Sequence, residues 1–242
     1  MGVCVMKIHE KLKKSYDILS KHYEFDVDTK TFNAYYERPA MIKAIGKIKN
    51  LRVLDAGCGA GYYTKWLIDN NAKEVVAIDF SKKMVEATKR KVENKAHVLE
   101  LDLNAKLPFN NNYFDMIVSA LTLHYVKDLN FTLSEFKRVL KENGVLIFSI
   151  NHPIMTYLYF SLENYFEEIL LEDLINKVPV YFYHRSFDTI FDALYNNNFF
   201  VVNMYEPKPT KDFLKMDEKN YKKLMKKPNF LIIKAIKSNV TK

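Results

Sequence analysis

The run Leu51-Arg52-Val53-Leu54-Asp55-Ala56-Gly57-Cys58-Gly59-Ala60-Gly61-Tyr62-Tyr63 decides the fold. An apolar strand ends on an acid, passes through a glycine turn and opens a helix. Glycine there lets the backbone approach a ligand because no Cβ stands in the way. A pyrophosphate would call for Gly-x-Gly-x-x-Gly and would meet Asp55 with like charge, whereas the spacing here is Gly-x-Gly-x-Gly. The turn suits a ligand bearing an ammonium group and a ribose, and a nicotinamide oxidoreductase is disfavoured.

Outward from this turn, short apolar runs alternate with helix-period stretches, the pattern of a parallel sheet built from βαβ units. Strands are expected at 51–55, 74–79, 97–101, 114–120 and 144–150, and helices at 61–70, 82–94 and 132–141, the last closed by Asn143-Gly144 as a C-cap signal. Before this Rossmann-like core lie two helical pieces, 8–22 and 38–48, the second with Pro39 in its first turn. After it comes an aromatic stretch, 151–185, then a helix at 187–196. Strands at 199–205 and 230–237 close the chain, with a Pro- and Lys-bearing connection, 207–229, between them, in which the 206–209 turn and the 222–228 stretch read as loop and solvated helix.

Two further acids end strands. Asp79, twenty-four positions after Asp55, can accept both hydrogen bonds of a ribose diol, with Phe80 against an adenine face. Asp102 can accept from the adenine amino group while the Leu103 amide serves a ring nitrogen.

With these residues in view, the stretch from Leu51 to Ile150 resembles the class I S-adenosylmethionine-dependent methyltransferases, in their small-molecule type 11 branch. The resemblance rests on Val53 to Gly61, Ile78-Asp-Phe-Ser-Lys-Lys-Met84, Leu107-Pro-Phe109, Phe114 to Ser119, Leu123-His-Tyr125 and Phe136 to Leu146. It implies an α/β fold: a Rossmann-like seven-stranded mixed sheet in order 3-2-1-4-5-7-6, flanked by helices, with its last strand antiparallel. One domain over 1–242 is expected, with an N-terminal helical cover (1–50), a cofactor-binding core (51–150), a small cap insertion after strand 5 (151–186) and a C-terminal helix and strands (187–242). The implied activity is methyl transfer from S-adenosylmethionine to O, N or C of a small-molecule acceptor, leaving S-adenosylhomocysteine.

Carried over by residue, the resemblance puts Asp55, Ala56, Gly57, Gly59 and Gly61 around the methionine part and Asp79 on the ribose. Phe80, Met84, Asp102 and Leu103 fall around adenine, and Ser119, Ala120 and Leu121 face the sulfonium. Arg38, in Tyr35-Tyr36-Glu37-Arg38-Pro39, is the candidate for the cofactor carboxylate, and Tyr16 and Tyr23 close over the cofactor. Cys58 is expected to pack the turn.

In-line displacement depends on positioning, and a base within hydrogen-bond reach helps an acceptor that must shed a proton. His124 and His152, just past the fourth and fifth strands, are the candidates, each weighed against a helix-entry or turn-shaping role. His184-Arg185 reads as a substrate-facing pair or as a plain pairing with Asp188. The aromatic stretch, with Tyr157 and Tyr183, fits a substrate-pocket lining or a cap core equally, with a homodimer surface as a third reading.

Composition bounds the alternatives. The 242 residues are 48% hydrophobic and 27% charged, an ordinary globular balance. No apolar run is long enough to span a membrane and the first residues are too short for a signal, so a cytoplasmic protein is expected. Two cysteines give no disulfide framework and no Cys/His pair has zinc spacing, so no metal is expected. The formal charge of +8 would suit phosphates, yet only Arg38, Arg52, Arg90, Arg138 and Arg185 among the 37 basic residues are arginine, and the lysines are scattered. Nucleic acid is therefore disfavoured. An RNA or protein methyltransferase and a catalytically silent cofactor-binding partner remain the alternatives. The Asn/Asp-Pro-Pro-aromatic run of adenine-N6 enzymes is absent after strand four, where Ser119-Ala-Leu-Thr122 stands.

Overall fold

The computed structural model describes residues 2–25 and 30–238, with side chains from Ile8 onward. The first strand, β1 (Arg52–Ala56), is buried on both faces from Val53, and it pairs in parallel with β2 (Glu74–Asp79) and β4 (Phe114–Ala120). β3 (His97–Glu100) adds in parallel to β2, and β5 (Leu140–Asn151) to β4. A two-stranded hairpin, β6 (Ile169–Ile175) and β7 (Val178–His184), stands apart from this sheet. β8 (Phe199–Tyr205) and β9 (Phe230–Lys237) complete the order β3-β2-β1-β4-β5-β9-β8, with β9 antiparallel to both neighbours. With the hairpin set aside, this is the expected seven-stranded mixed sheet.

Helices cover both faces. On one side α5 (Leu129–Val139) and α7 (Phe187–Asn196) bury Leu133, Phe136, Ile190 and Leu194 against Leu54, Ile117 and Leu146. On the other, α2 (Arg38–Ile45) and α3 (Tyr62–Asp69) pack Met41, Ile45 and Leu67 on Val53, Val75 and Val118. α4 (Lys82–Val92), capped by the Ser81 hydroxyl, seats Val85 and Val92 with Ala77 and Val98. Outside these layers lies α1 (Gly2–Phe25), which runs onto the carboxyl end of the sheet. A π-helical turn, Asn33–Glu37, leads from it into α2.

Several boundaries differ from expectation for identifiable reasons. α1 extends beyond 8–22, and α2 stops at Ile45 because Gly46 takes φ +75°. α5 starts at Leu129, where Asp128 accepts the Phe131 N–H, and ends at Val139. Asn143-Gly144 is therefore no helix cap. Asn143 (φ +60°) sits inside β5, where register jumps from Phe114↔Leu140 to Met116↔Val145 across a bulge pinned by the Lys141–Asp115 ion pair at 2.6 Å. The 206–209 turn is a loop and the 222–227 stretch is largely exposed, but the connection is also anchored to the core. Its helices α8 (Lys211–Met216) and α9 (Glu218–Leu224) bury Phe213 and Leu224 against Tyr36. Residues 153–159 form α6.

Candidate active site

The glycine turn is fixed by the neighbouring strand: the Gly57 and Cys58 N–H groups both donate to the Ile78 carbonyl, at 2.8 and 2.9 Å. Gly57 (φ +84°) lies so near Thr122 that a Cβ would come within 2.3 Å of its side chain. At Gly59 (φ +53°), by contrast, a Cβ would meet nothing within 4 Å, so the turn presents open space there. Over that space lies a cavity of about 350 Å³. Its floor is the carboxyl ends of β1 to β4, the place where ligands bind in open α/β sheets. Its roof is α1, through His9, Leu12, Tyr16 and Tyr23, together with the hairpin residues Asp173, Ile175, Val180 and Phe182.

Gly57, Gly59, Asp79, Phe80, Met84, Asp102, Leu103, Ala120 and Leu121 line this cavity, as do Tyr16, Tyr23, Arg38 and His124. Asp79 is aimed by two backbone donors, Gly59 N–H to Oδ2 (3.0 Å) and Ser81 N–H to Oδ1 (2.9 Å), while burial pushes its carboxyl up to about 6. The Asp102 carboxylate accepts from the Asn104 amide on Oδ1 and faces His9 Nε2 at 3.0 Å on Oδ2. The hydrogen bond to Asp102 raises the His9 pKa. Leu121 takes φ +49°, a left-handed conformation strained for a branched side chain, held by its N–H donating to the Ser149 carbonyl. The Arg38 guanidinium is buried and stacks 3.5 Å above the Tyr62 ring.

Four of the expected cofactor residues stand behind the wall rather than in it. Asp55 accepts the Thr64 hydroxyl at 2.6 Å, and burial, with Asp79 close by, raises its carboxyl to about 7. Ser119 donates to the Ala56 carbonyl at 2.8 Å, tying β4 to β1. Gly61 starts α3 at φ +82° against Thr88, where a Cβ would lie 2.9 Å from the side chain.

The candidates beyond β5 separate from the cavity. His152 bonds Glu206 through Nε2 at 2.9 Å and meets the Phe187 ring edge-on, so it ties α6 to the later connection. Tyr157 packs edge-on against Tyr165. Tyr183, His184 and Arg185 line a smaller void behind His124, and His184 meets the Tyr165 carbonyl. Arg185 pairs with Glu168 and not with Asp188. Its Nη2 also donates to the carbonyls of Val126 and Lys127, at 2.7 and 2.9 Å, so it anchors the loop that carries His124 and Tyr125.

His124, on a short 3₁₀ turn (Leu123–Tyr125), is buried between Tyr125 and Phe182, and its Nδ1 has no hydrogen-bond partner among the described residues. Desolvation and the Arg185 charge push its pKa down to about 3, so the ring is neutral at physiological pH.

Sequence reasoning missed much of the roof. His9, Leu12, Tyr125, Asp173, Val180 and Phe182 lie on elements whose facing depends on tertiary packing. It also missed Glu37, a buried carboxyl that accepts from Tyr63 and Ser149 at 2.6 Å each and whose pKa burial raises. The π-helical turn that carries it, of a kind that collects at functional sites, shows only in the structure, and nothing in the sequence marked Glu37.

The arrangement can hold a ribose diol at Asp79, an adenine between Phe80 and Leu103, and an anionic group at Arg38. Among the described residues no group of His, Cys, Asp and Glu could hold a metal ion, and no helix is long and apolar enough to cross a membrane.

Comparison with known proteins gives consistent results. A type 11 family model described as a methyltransferase domain matches residues 54–148. An uncharacterized protein of Haemophilus influenzae is 29% identical over 230 residues, covering 86% of this chain and 89% of that one. Demethylmenaquinone methyltransferase of Staphylococcus aureus is 32% identical over 146 residues, 59% of this chain and 58% of the relative, so less than two-thirds of that enzyme's length is matched. Among solved structures, a Listeria monocytogenes protein assigned as an S-adenosylmethionine dependent methyltransferase superposes with TM-score 0.76 and 25% identity, over 84% of this chain and 97% of that one.

Proposed function

Since the chain belongs to the class I S-adenosylmethionine-dependent methyltransferases of the type 11 branch, we propose that it moves the cofactor methyl group to O, N or C of a small molecule bound under α1 and the β6–β7 hairpin. The observation that carries this reading is the convergence of the open glycine turn, the Asp79 carboxylate and the Phe80 and Leu103 side chains on one cavity.

These residues fit S-adenosylmethionine. Asp79, already oriented by two N–H donors, presents its remaining lone pairs to a ribose diol. The space beside Gly59 admits the methionine chain, whose carboxylate Arg38 would hold. Held there, the cofactor would supply an electrophilic methyl group on a sulfonium. The protein's part is to align the acceptor and exclude water, and the apolar contacts of Leu12, Val180 and Phe182 do the latter. His124 is neutral in this setting and serves as a hydrogen-bond partner or packing ring for the acceptor more readily than as a strong base. His152, Tyr157, Tyr183, His184 and Arg185 act at a remove, by holding the cap and the His124 loop.

Calorimetric titration with S-adenosylhomocysteine beside NAD, on the wild type and Asp79→Ala, tests the reading. Binding of S-adenosylhomocysteine alone, weakened at least about tenfold in the variant, is expected. Binding of neither ligand by folded protein would overturn it.

A further inference from the structure

The cavity is electrically lopsided. Its only described lysine and arginine, Lys30 and Arg38, lie at the Tyr23 end: Lys30 Nζ is 5.8 Å from the Tyr23 ring, and the Arg38 charge lowers the Tyr23 pKa against the effect of burial. From Tyr23 a chain of buried hydroxyls runs through Tyr16 to Tyr125. Their rings meet at centroid distances of 6.1 Å (Tyr16–Tyr23) and 5.3 Å (Tyr16–Tyr125). At the far end stands Asp173, whose charge reaches Tyr125. Asp173 lines the cavity from β6, its Oδ1 accepts the Leu174 N–H at 2.7 Å, and no Lys, Arg or His pairs with it among the described residues. Beside it the rings of Tyr125, His124 and Phe182 form a continuous aromatic wall, with centroids 4.2 Å and 5.7 Å apart.

A carboxylate without a cation partner, lining a mostly apolar cavity together with aromatic rings, is the chemistry that selects an ammonium group. We propose that the acceptor is an amine, held as its ammonium by Asp173 against the Tyr125 and Phe182 rings, and that transfer takes place on nitrogen. A carboxylate or phosphate acceptor would meet Asp173 with like charge, whereas Lys30 and Arg38 lie at the end assigned to the cofactor carboxylate and His9 is paired with Asp102. The reaction balances. One ammonium proton passes by way of Asp173 to water, the freed lone pair forms the N–C bond, and the C–S pair stays on sulfur. The methylated nitrogen keeps one positive charge.

This inference rests on the methyltransferase reading, so its test separates the two. Labelled methyl transfer from S-adenosylmethionine is measured on three panels: primary and secondary alkyl and arylalkyl amines, the matching carboxylic acids, and phenols with hydroquinones. Wild type and Asp173→Asn are compared, and S-adenosylhomocysteine affinity is determined by calorimetry for both. Saturation-transfer NMR on the S-adenosylhomocysteine complex reads amine binding without turnover. The expected result is transfer to amines alone, with KM raised about tenfold or more in Asp173→Asn, amine saturation transfer lost, and S-adenosylhomocysteine affinity changed by less than about twofold. Intact S-adenosylhomocysteine binding with transfer only to acids or phenols, or to no panel member, overturns the amine assignment and leaves the cofactor reading standing. Absence of S-adenosylhomocysteine binding overturns both.

Discussion

At the scale of single residues, the two carboxyls under the glycine turn make the sharpest predictions. Both have folded-state pKa values raised by burial, Asp55 to about 7 and Asp79 to about 6, above the unfolded value of 3.8. The native state thus binds more protons than the unfolded chain between roughly pH 4 and 7, and these groups remove stability as pH rises through that window. Asp55→Asn, which keeps an oxygen for the Thr64 hydroxyl, should raise stability at pH 8 by on the order of 1–3 kcal/mol and leave it little changed at pH 4. Urea unfolding at the two pH values is the check. For Asp79 the ligand linkage has the opposite sense, because ribose hydroxyls donate to the ionised form. S-adenosylhomocysteine affinity should fall as pH drops through about 6, as titration across pH 5 to 8 would show.

Elements carry the next layer, and the loop after β4 is the clearest case. Arg185 reaches across from the end of β7 to three carbonyls, those of Leu123, Val126 and Lys127, so removal of its side chain strands acceptors inside the protein. Arg185→Ala should cost about 2–4 kcal/mol of stability, and Arg185→Lys should restore only part, because an ammonium lacks the planar fork. Chemical denaturation of both variants tests this. In the glycine turn, Gly57→Ala should abolish S-adenosylhomocysteine binding because the new Cβ would overlap Thr122. Adding Thr122→Gly would remove the overlap but not the strain at φ +84°, so only partial recovery of affinity is expected.

For the whole molecule, the cavity exists only because α1 closes over the sheet. Leu12, Tyr16 and Leu19 pack with Met84 and Val180, while Asp17 accepts the Ser81 hydroxyl and Lys13 and Glu24 pair with Glu100 and Arg90. These ion pairs are largely exposed and add little, so the apolar contacts and any bound ligand hold the roof. Hydrogen exchange in α1 should slow on addition of S-adenosylhomocysteine by more than it does in β5. Equal effects in both would show that α1 does not respond as a lid.

The sequence by itself determined the succession of strands and helices along the chain, the glycine turn and the acids near the ends of β1, β2 and β3, while the order of strands in the sheet came only through the family resemblance. Alternation of apolar runs, strand-end chemistry and the short turns between them are local, and each is specified within a dozen residues or so. It was less informative where facing is set by distant partners. Asp55 and Asp79 look equivalent as strand-ending acids, yet Thr64 draws one behind the wall and the Gly59 N–H helps aim the other into the cavity. The aromatic stretch announced a special region but not its geometry. Tyr157 and Tyr183 turned away from the cavity, while Phe182, next to Tyr183, and Asp173, on the paired strand, turned into it. That choice belongs to the tertiary structure, because a hairpin alternates its side chains every residue. Only its docking against α1, more than a hundred residues earlier in the chain, fixes which set faces the ligand.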